Sequence, residues 1–377
     1  MHRHGGNARP ATRLALALAI ASVFFAVGVP AQDAPFRLDA DAAAIAPGTL
    51  RFGVAADFSY VEKLRRAGGR RIPLGQRLGF DSIADNVTAS ATVSVTRLPI
   101  SLDYGLTRWL SLGVSAPLVR RRVEVAADTN VRQAPAPPVK TRLTDPAALA
   151  GFTHTNIGDV DFTARLALFD DLRGKSPVRF RLAAEGGFRL AAGPSRRANN
   201  MIDPGAGDGQ NDILASLFAD AALGGRWSVS LAGSRTWQRP DRQTIVSADS
   251  VYPSQRIRGS VDRDLGDLTA FMVTPRYRMT RYIQLAASVS QLAKTADRYS
   301  GPAPADGWGL VAPPIGAYSV TRASVGLVFT TLPNGGAISS WPVDLVFEHN
   351  WIVHSSGATI PDSRVDRLGG RVYMKLF

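Results

Sequence analysis

The chain has no cysteine among its 377 residues, which excludes disulfides and thiolate-ligated metals. Histidine is nearly as scarce, with five in all. Two of these, His2 and His4, precede the first apolar run, so only His154, His349 and His354 remain for acid–base chemistry further along. Acidic side chains are outnumbered by Lys and Arg, 31 to 44, giving a formal net charge of +13. Beyond residue 31 no apolar run approaches the roughly 20 residues a membrane helix requires. If this chain crosses a bilayer after that point, it does so with strands.

The one long apolar run, Leu14 to Val29, follows Arg3, Arg9 and Arg13 and ends at Val29-Pro30-Ala31. This order of basic, apolar and small residues predicts a secretory signal peptide over 1–31, cleaved after Ala31. An uncleaved anchor is the alternative, disfavoured by the shortness of the run. Cleavage removes three arginines and no acids, so the net charge falls from +13 to +10. Export also argues against nucleic acid as the partner of so basic a chain.

The length and the 45% hydrophobic content suit a large soluble β domain as well as a membrane protein. What separates them is the rhythm of the connections. Twelve stretches carry apolar residues at every second position, and the links between them alternate long and short. Gly105 to Arg108, Asp170 to Ser176, Gly224 to Arg226, Met279 to Arg281 and Leu332 to Gly336 are short; Glu62 to Asn86, Asp128 to Asn156, Gly193 to Gln210, Gln238 to Asp262, Thr295 to Ala317 and Ser355 to Ser363 are long. Hairpins that end alternately on two membrane faces produce this rhythm, and the absence of water in a bilayer forces such a sheet to close. The prediction is an all-β, antiparallel up-and-down transmembrane barrel over 49–377, with short periplasmic turns, long extracellular loops and a short, Ala-rich periplasmic segment at 32–48 that either tucks into the lumen or hangs free.

Within the stretches, Phe180, Leu182, Ala184, Phe188 and Leu190 share one face, while Arg179, Arg181, Glu185 and Arg189 share the other. Val160, Phe162, Ala164, Leu166 and Leu168 oppose Asp161, Thr163 and Arg165 in the same way, and Val343, Leu345, Phe347 and Trp351 oppose Asp344, Glu348 and Asn350. An apolar face over the ~9–11 residues of a tilted membrane strand, backed by small and polar residues, describes lipid outside and a wet lumen inside. Tyr60, Tyr104, Trp109, Phe169, Trp227, Trp237, Tyr282, Phe329 and Trp351 fall near strand ends, where interfacial aromatics belong. The chain closes on Phe377, yet Phe377 and Tyr373 share parity with Lys375 and Arg371. The register of the last strand is therefore open.

Three segments carry a family resemblance: YGLTRWLSLGVSAPL (Tyr104 to Leu118), IGDVDFTARLALF (Ile157 to Phe169) and GDGQNDILASL (Gly207 to Leu217). They resemble proteobacterial outer-membrane barrels of the transporter family named for the meta-pathway of phenol degradation. The resemblance implies a monomeric barrel passing small, often hydrophobic or aromatic compounds across the outer membrane of a Gram-negative bacterium, and no cofactor.

Inward arginines are expected at Arg165, Arg179, Arg181, Arg189, Arg235 and Arg322, against Asp57, Asp103, Asp161, Glu185, Asp344 and Glu348. Segregated on opposite walls they would set up a transverse field along the solute path; paired across neighbouring strands they would stiffen the wall. Arg165, Arg179, Arg181, Glu185 and Arg189 are the lumen-facing candidates for the solute pathway. Arg65, Arg66, Arg70, Arg71 and Arg77 crowd the first long loop, and Arg196 with Arg197 sit in another, where they either bind lipopolysaccharide phosphates or stay solvated. Expected partners are thus outer-membrane lipid and lipopolysaccharide, a small-molecule solute and the barrel-assembly machinery.

Two other functions remain in view. A lipid hydrolase would need a base beside a nucleophile, and His354 with Ser355 or Ser356 is the rim pair available. A structural or adhesive barrel would act through its loops. Asp203, Asp208 and Asp212 offer oxygens in a Gly-rich stretch but miss the EF-hand spacing, and a turn is the expectation there rather than a metal site.

Overall fold

The computed structural model describes residues 38, 40–66, 69–73, 88–128, 151–171, 179–194, 205–248, 256–300, 316–331 and 342–376. The predicted signal peptide, Arg77, Arg196, Arg197, Asp203, the Pro-rich stretches 134–138 and 301–314, and Phe377 lie outside the described residues.

Twelve antiparallel staves close into a barrel. They are β1 (Thr49–Val61), β2 (Thr88–Gly105), β3 (Leu110–Asp128), β4 in two segments (Phe152–Ile157 and Val160–Asp170), β5 (Arg179–Leu190), β6 (Asp212–Ala222), β7 (Trp227–Gln238), β8 (Leu268–Arg278), β9 (Ile283–Lys294), β10 (Tyr318–Thr330), β11 (Val343–Gly357) and β12 (Arg364–Lys375). Each pairs with its neighbours in sequence, and β1 joins β12 over twelve residue pairs from Thr49↔Lys375 to Tyr60↔Arg364. No edge is left to solvate, as spanning a bilayer demands.

The short turns are built by local chemistry. Thr107 Oγ1 accepts from the N–H groups of Trp109 and Leu110, and Thr280 Oγ1 accepts from those of Tyr282 and Ile283. These hydroxyls close the turn from the side chain. The β6–β7 turn uses Gly224 and Gly225 instead, at φ of 86° and 58°, conformations that only glycine adopts without strain.

The apolar faces point outward. Leu217 is 51% and Phe347 51% exposed, while their inward neighbours Phe218 and Glu348 are 5% and 3% exposed. At the short-turn end an aromatic girdle forms: Trp227 lies 4.9 Å from Tyr277, Tyr282 lies 6.2 Å from Phe329, and the guanidiniums of Arg108 and Arg281 stand over Trp109 and Tyr282.

The long-loop end departs from expectation in extent. Residues 152–156, expected in a loop, continue the wall with Ile157 by pairing with Leu118–Val123 of β3. The 238–262 connection folds into its own hairpin, Asp241–Ala248 against Arg256–Asp264. At the same end, a small sheet forms from Lys63–Arg65, Arg71–Pro73 and Ile360–Pro361. Non-local pairing supplied these strands, which no membrane-spanning pattern marks.

Three phase details correct the sequence reading. A bulge between Ala167 and Phe169 shifts β4 by one residue, so Phe169 joins the outer face and Asp170 turns in toward Arg181. Arg235 shares parity with Trp227, Leu231 and Trp237 and faces outward at the rim, where it pairs with Asp267 at 2.9 Å and stands 5.5 Å over Trp237. In β12 the inward series contains Arg367, Arg371 and Tyr373, whose hydroxyl donates to Asp344 Oδ2 at 2.5 Å. The outward series therefore ends on Leu376, which is 50% exposed.

Candidate functional site: the occupied lumen

Of the predicted segment 32–48, Leu38 and residues 40–48 are described, and they sit inside the barrel rather than hanging free below it. Leu38 and Ala42 are both 0% exposed. Arg276 of β8 donates through Nη2 to the carbonyl oxygens of Leu38 (2.7 Å) and Ala40 (2.8 Å), and Arg165 of β4 donates to that of Asp41 (3.1 Å). The N–H of Ala42 donates to Asp220 Oδ2 at 2.9 Å and that of Leu38 to Glu348 Oε2 at 3.3 Å. The segment leaves the barrel at Gly48, whose N–H donates to Gly105 O at 2.9 Å. Five wall-to-backbone hydrogen bonds from four strands thus hold an extended peptide across the lumen. A peptide without its own secondary structure needs such partners, because buried amides left unpaired are costly.

Small wall residues make the room. A methyl group on Gly326 would run into the carbonyl oxygen of Phe347 and come within 2.8 Å of Leu38 Cδ1. Gly326→Val is expected to cost about 1–3 kcal/mol through overpacking and to expose the segment, readable as faster proteolysis near residue 40 of the folded barrel.

Charge surrounds Asp41. Burial alone would raise its pKa, but the guanidiniums of Arg371, Arg181, Arg165 and Arg276 outweigh that and hold the carboxyl below the ordinary aspartate range. A lowered pKa means that its contribution to docking is complete above the ordinary range near 4 and is lost only as pH falls through the lower, docked value. The Asp41 share of docking is therefore expected to persist from pH 5 to 8 and to weaken in stronger acid, which segment proteolysis compared between the unaltered chain and Asp41→Ala would report.

The predicted pathway residues face inward, and four of the five are brought together in pairs. Arg165 meets Glu185 at 2.9 Å and Arg189 meets Asp161 at 2.7 Å, both across adjacent strands, while Arg181 lies 3.4 Å from Asp170. Arg179 sits on the same face of β5. Elsewhere on the wall Arg367 pairs with Asp57 at 2.5 Å and lies 3.5 Å from Glu348, and Arg51 meets Asp103 at 3.0 Å. Arg322 donates to Asn350 and Ser363. Pairing between neighbours, rather than segregation on opposite walls, describes this ladder. Arg276 and Asp220, central to the occupied lumen, were not among the predicted residues. Their inward parity in β8 and β6 was legible, but nothing in the sequence said which wall groups a tucked-in segment would meet.

One stretch of wall is apolar. Phe218, Ala232, Ala270, Met272, Leu292, Val320 and Ile352 form a continuous buried cluster with Ala42 of the segment. It covers the inner faces of β6 to β11 toward the long loops.

The remaining candidates resolve individually. Ser355 is 1% exposed, whereas its neighbour His354 is exposed, so alternation puts them on opposite faces of β11. Ser356 Oγ shares a hydrogen bond with Ser319 Oγ. Asp208 accepts from Gln210 N and Gln238 Nε2, and among the described residues no three of His, Cys, Asp and Glu gather as metal ligands. Arg65 is buried, pairing with Asp362 at 2.8 Å, and Arg71 bonds the same carboxylate; only Arg66, Arg70 and Arg71 of that loop cluster are exposed among the described residues. Two of the three resembling segments meet at the long-loop rim, where Asp159 accepts from the N–H groups of Gly193 and Asp208. They latch loop to wall.

No family model matches this sequence, and no curated protein matches it at a significant level. Among solved structures, an outer membrane channel from Pseudomonas putida F1 superposes over 89% of this chain and 98% of its own, with a TM-score of 0.56 at 15% identity. The translocator domain of the autotransporter NalP from Neisseria meningitidis (86% and 88% covered, TM-score 0.38, 7% identity) and the CymD monoaromatic hydrocarbon channel (88% and 89%, TM-score 0.34, 12% identity) match more loosely. The first likeness shows the fold, that of an outer-membrane β-barrel.

Proposed function

We propose that this barrel is a passive outer-membrane channel for small, largely apolar solutes, closed in the described state by its own N-terminal segment. The observation that carries this reading is the apolar strip that begins at Ala42 and covers the inner wall from Phe218 to Ile352. A lumen with only polar ladders would suit ions; this one also offers a surface on which an apolar solute sheds water at a gain of about 25 cal/mol per Å². The segment is held by hydrogen bonds and by the buried side chains of Leu38, Ala42 and Ile45, without secondary structure of its own. The structure that superposes at TM-score 0.56 is described as an outer membrane channel, which supports the class without identifying a solute.

In this reading residues 1–31 are an export signal removed on secretion, the assembly machinery inserts the barrel, and lipopolysaccharide borders its outer rim. No observation favours the hydrolase, whose His354 and Ser355 face apart, or the adhesin. The test is transport: proteoliposomes containing the folded mature protein are expected to take up benzyl alcohol or toluene faster than empty vesicles, with small discrete conductance in planar bilayers. Uptake and conductance no greater than in protein-free bilayers would sink the channel.

A further inference from the structure

The contacts that hold the N-terminal segment have a chemical type. Arg276 Nη2 takes the carbonyl oxygens of Leu38 and Ala40, Arg276 Nη1 takes Ser230 Oγ, and Arg165 Nη1 takes the carbonyl of Asp41. Glu185 answers the charge of Arg165 and Asp170 that of Arg181. Among the described residues Arg276 has no carboxylate within ion-pair distance; it reaches Asp220 through the Ser230 hydroxyl, which donates to Asp220 Oδ1. When the N-terminal peptide leaves, the part-buried Nη2 of Arg276 loses both of its acceptors, and buried donors left unsatisfied are costly. The Asp41 carboxylate leaves with the same peptide, while Asp220 stays one hydroxyl away.

The surroundings of this corner are apolar on one side. Register places Ala222, Ser228 and Arg276 in one row of the inner wall, Asp220, Ser230 and Thr274 in the next, and Phe218, Ala232 and Met272 in the one after. The Arg276 side chain reaches forward to Ser230, so its charge ends beside the apolar row. Arg165 lies over the Phe218 ring, 4.4 Å from its centroid. Cationic donors therefore adjoin an aromatic and aliphatic floor.

We propose that, when the segment withdraws, this corner binds a small carboxylate with an apolar body, an aromatic acid being the simplest, the carboxylate taken by Arg276 and Arg165 and the ring by Phe218, Ala232 and Met272. The inference rests on the channel reading for its biological sense, and it adds a solute class to it. The carbonyls of Leu38, Ala40 and Asp41 take these guanidinium donors in the closed state, where the solute carboxylate would sit. Guanidinium suits this task because its planar donors match a carboxylate in pairs.

Binding tests it apart from transport. Benzoate, benzyl alcohol and benzylammonium have one ring and different charge, and each is titrated by calorimetry into the detergent-folded full-length barrel, its Asp41→Ala variant and its Arg276→Gln variant. Heat-modifiable gel mobility confirms that each variant is folded. Benzoate is expected to bind tightest of the three, to gain roughly tenfold in Asp41→Ala, where the segment loses the charge that the wall guanidiniums attract, and to lose roughly tenfold or more in folded Arg276→Gln, the worth of a hydrogen bond to a charged group. Benzoate binding no tighter than benzyl alcohol, or unaltered in Arg276→Gln, overturns the site. Benzoate bound with this pattern but no transport sinks the channel reading and leaves the site standing; transport without charge discrimination in binding does the reverse.

Discussion

Deleting residues 32–46 is expected to raise single-channel conductance severalfold while leaving the barrel folded. The expectation follows from where the segment lies and what holds it. Residues 38 and 40–46 cross the lumen as extended backbone, bonded to the wall by Arg165, Asp220, Arg276 and Glu348. A twelve-stranded barrel stands between small barrels filled by side chains and wide aqueous pores, so one extended peptide occupies a large share of its bore. Among the described residues only Thr49 of β1, whose N–H donates to Ala46 O at 3.1 Å, loses a backbone partner when the peptide goes, since the ladder otherwise runs stave to stave. Asp41→Ala, which removes a carboxylate without removing backbone, is expected to alter ion selectivity toward anions with a much smaller change in conductance. Equal conductance for the full and shortened chains would show that the segment does not limit the path, and would require the closure to lie among the loops.

Placing an arginine on the outer face is expected to be costly in the middle of a stave and nearly free at its rim. Leu217, in the centre of β6 and 51% exposed, should lose about 2–4 kcal/mol on substitution by Arg, because the guanidinium would face hydrocarbon; Ile157, 58% exposed at the end of the first β4 segment, should lose about 0–1 kcal/mol. Urea unfolding of vesicle-inserted protein measures both. A soluble β domain would show no such dependence on depth, because either residue would face water. Equal and small losses at the two positions would remove the bilayer from the account of this fold.

The sequence carried the barrel because its evidence is local and repeated. Alternation in Val160 to Leu168, in Phe180 to Leu190 and in Val343 to Trp351 needs only the period of a strand, and the turns at Thr107, Gly224 and Thr280 need only their own residues. Where a single residue shifts the phase, as at the bulge between Ala167 and Phe169, periodicity misleads from that point on. Arg235 shows the same limit in another form: its charge suggested the lumen, but its parity placed it outside, where Asp267 and Trp237 receive it.

What the chain determined by itself is the set of staves, their faces and the alternation of their ends, since the bilayer imposes one rule on every stave. What tertiary structure alone decided is who meets whom inside: Arg165 with Glu185, Arg189 with Asp161, and above all Arg276 with the carbonyls of Leu38 and Ala40. Those partners lie 20, 28 and more than 230 residues apart. A peptide with no period, held by polar wall groups that were each read singly, leaves no mark in its own sequence; its place exists only once the sheet has closed around it.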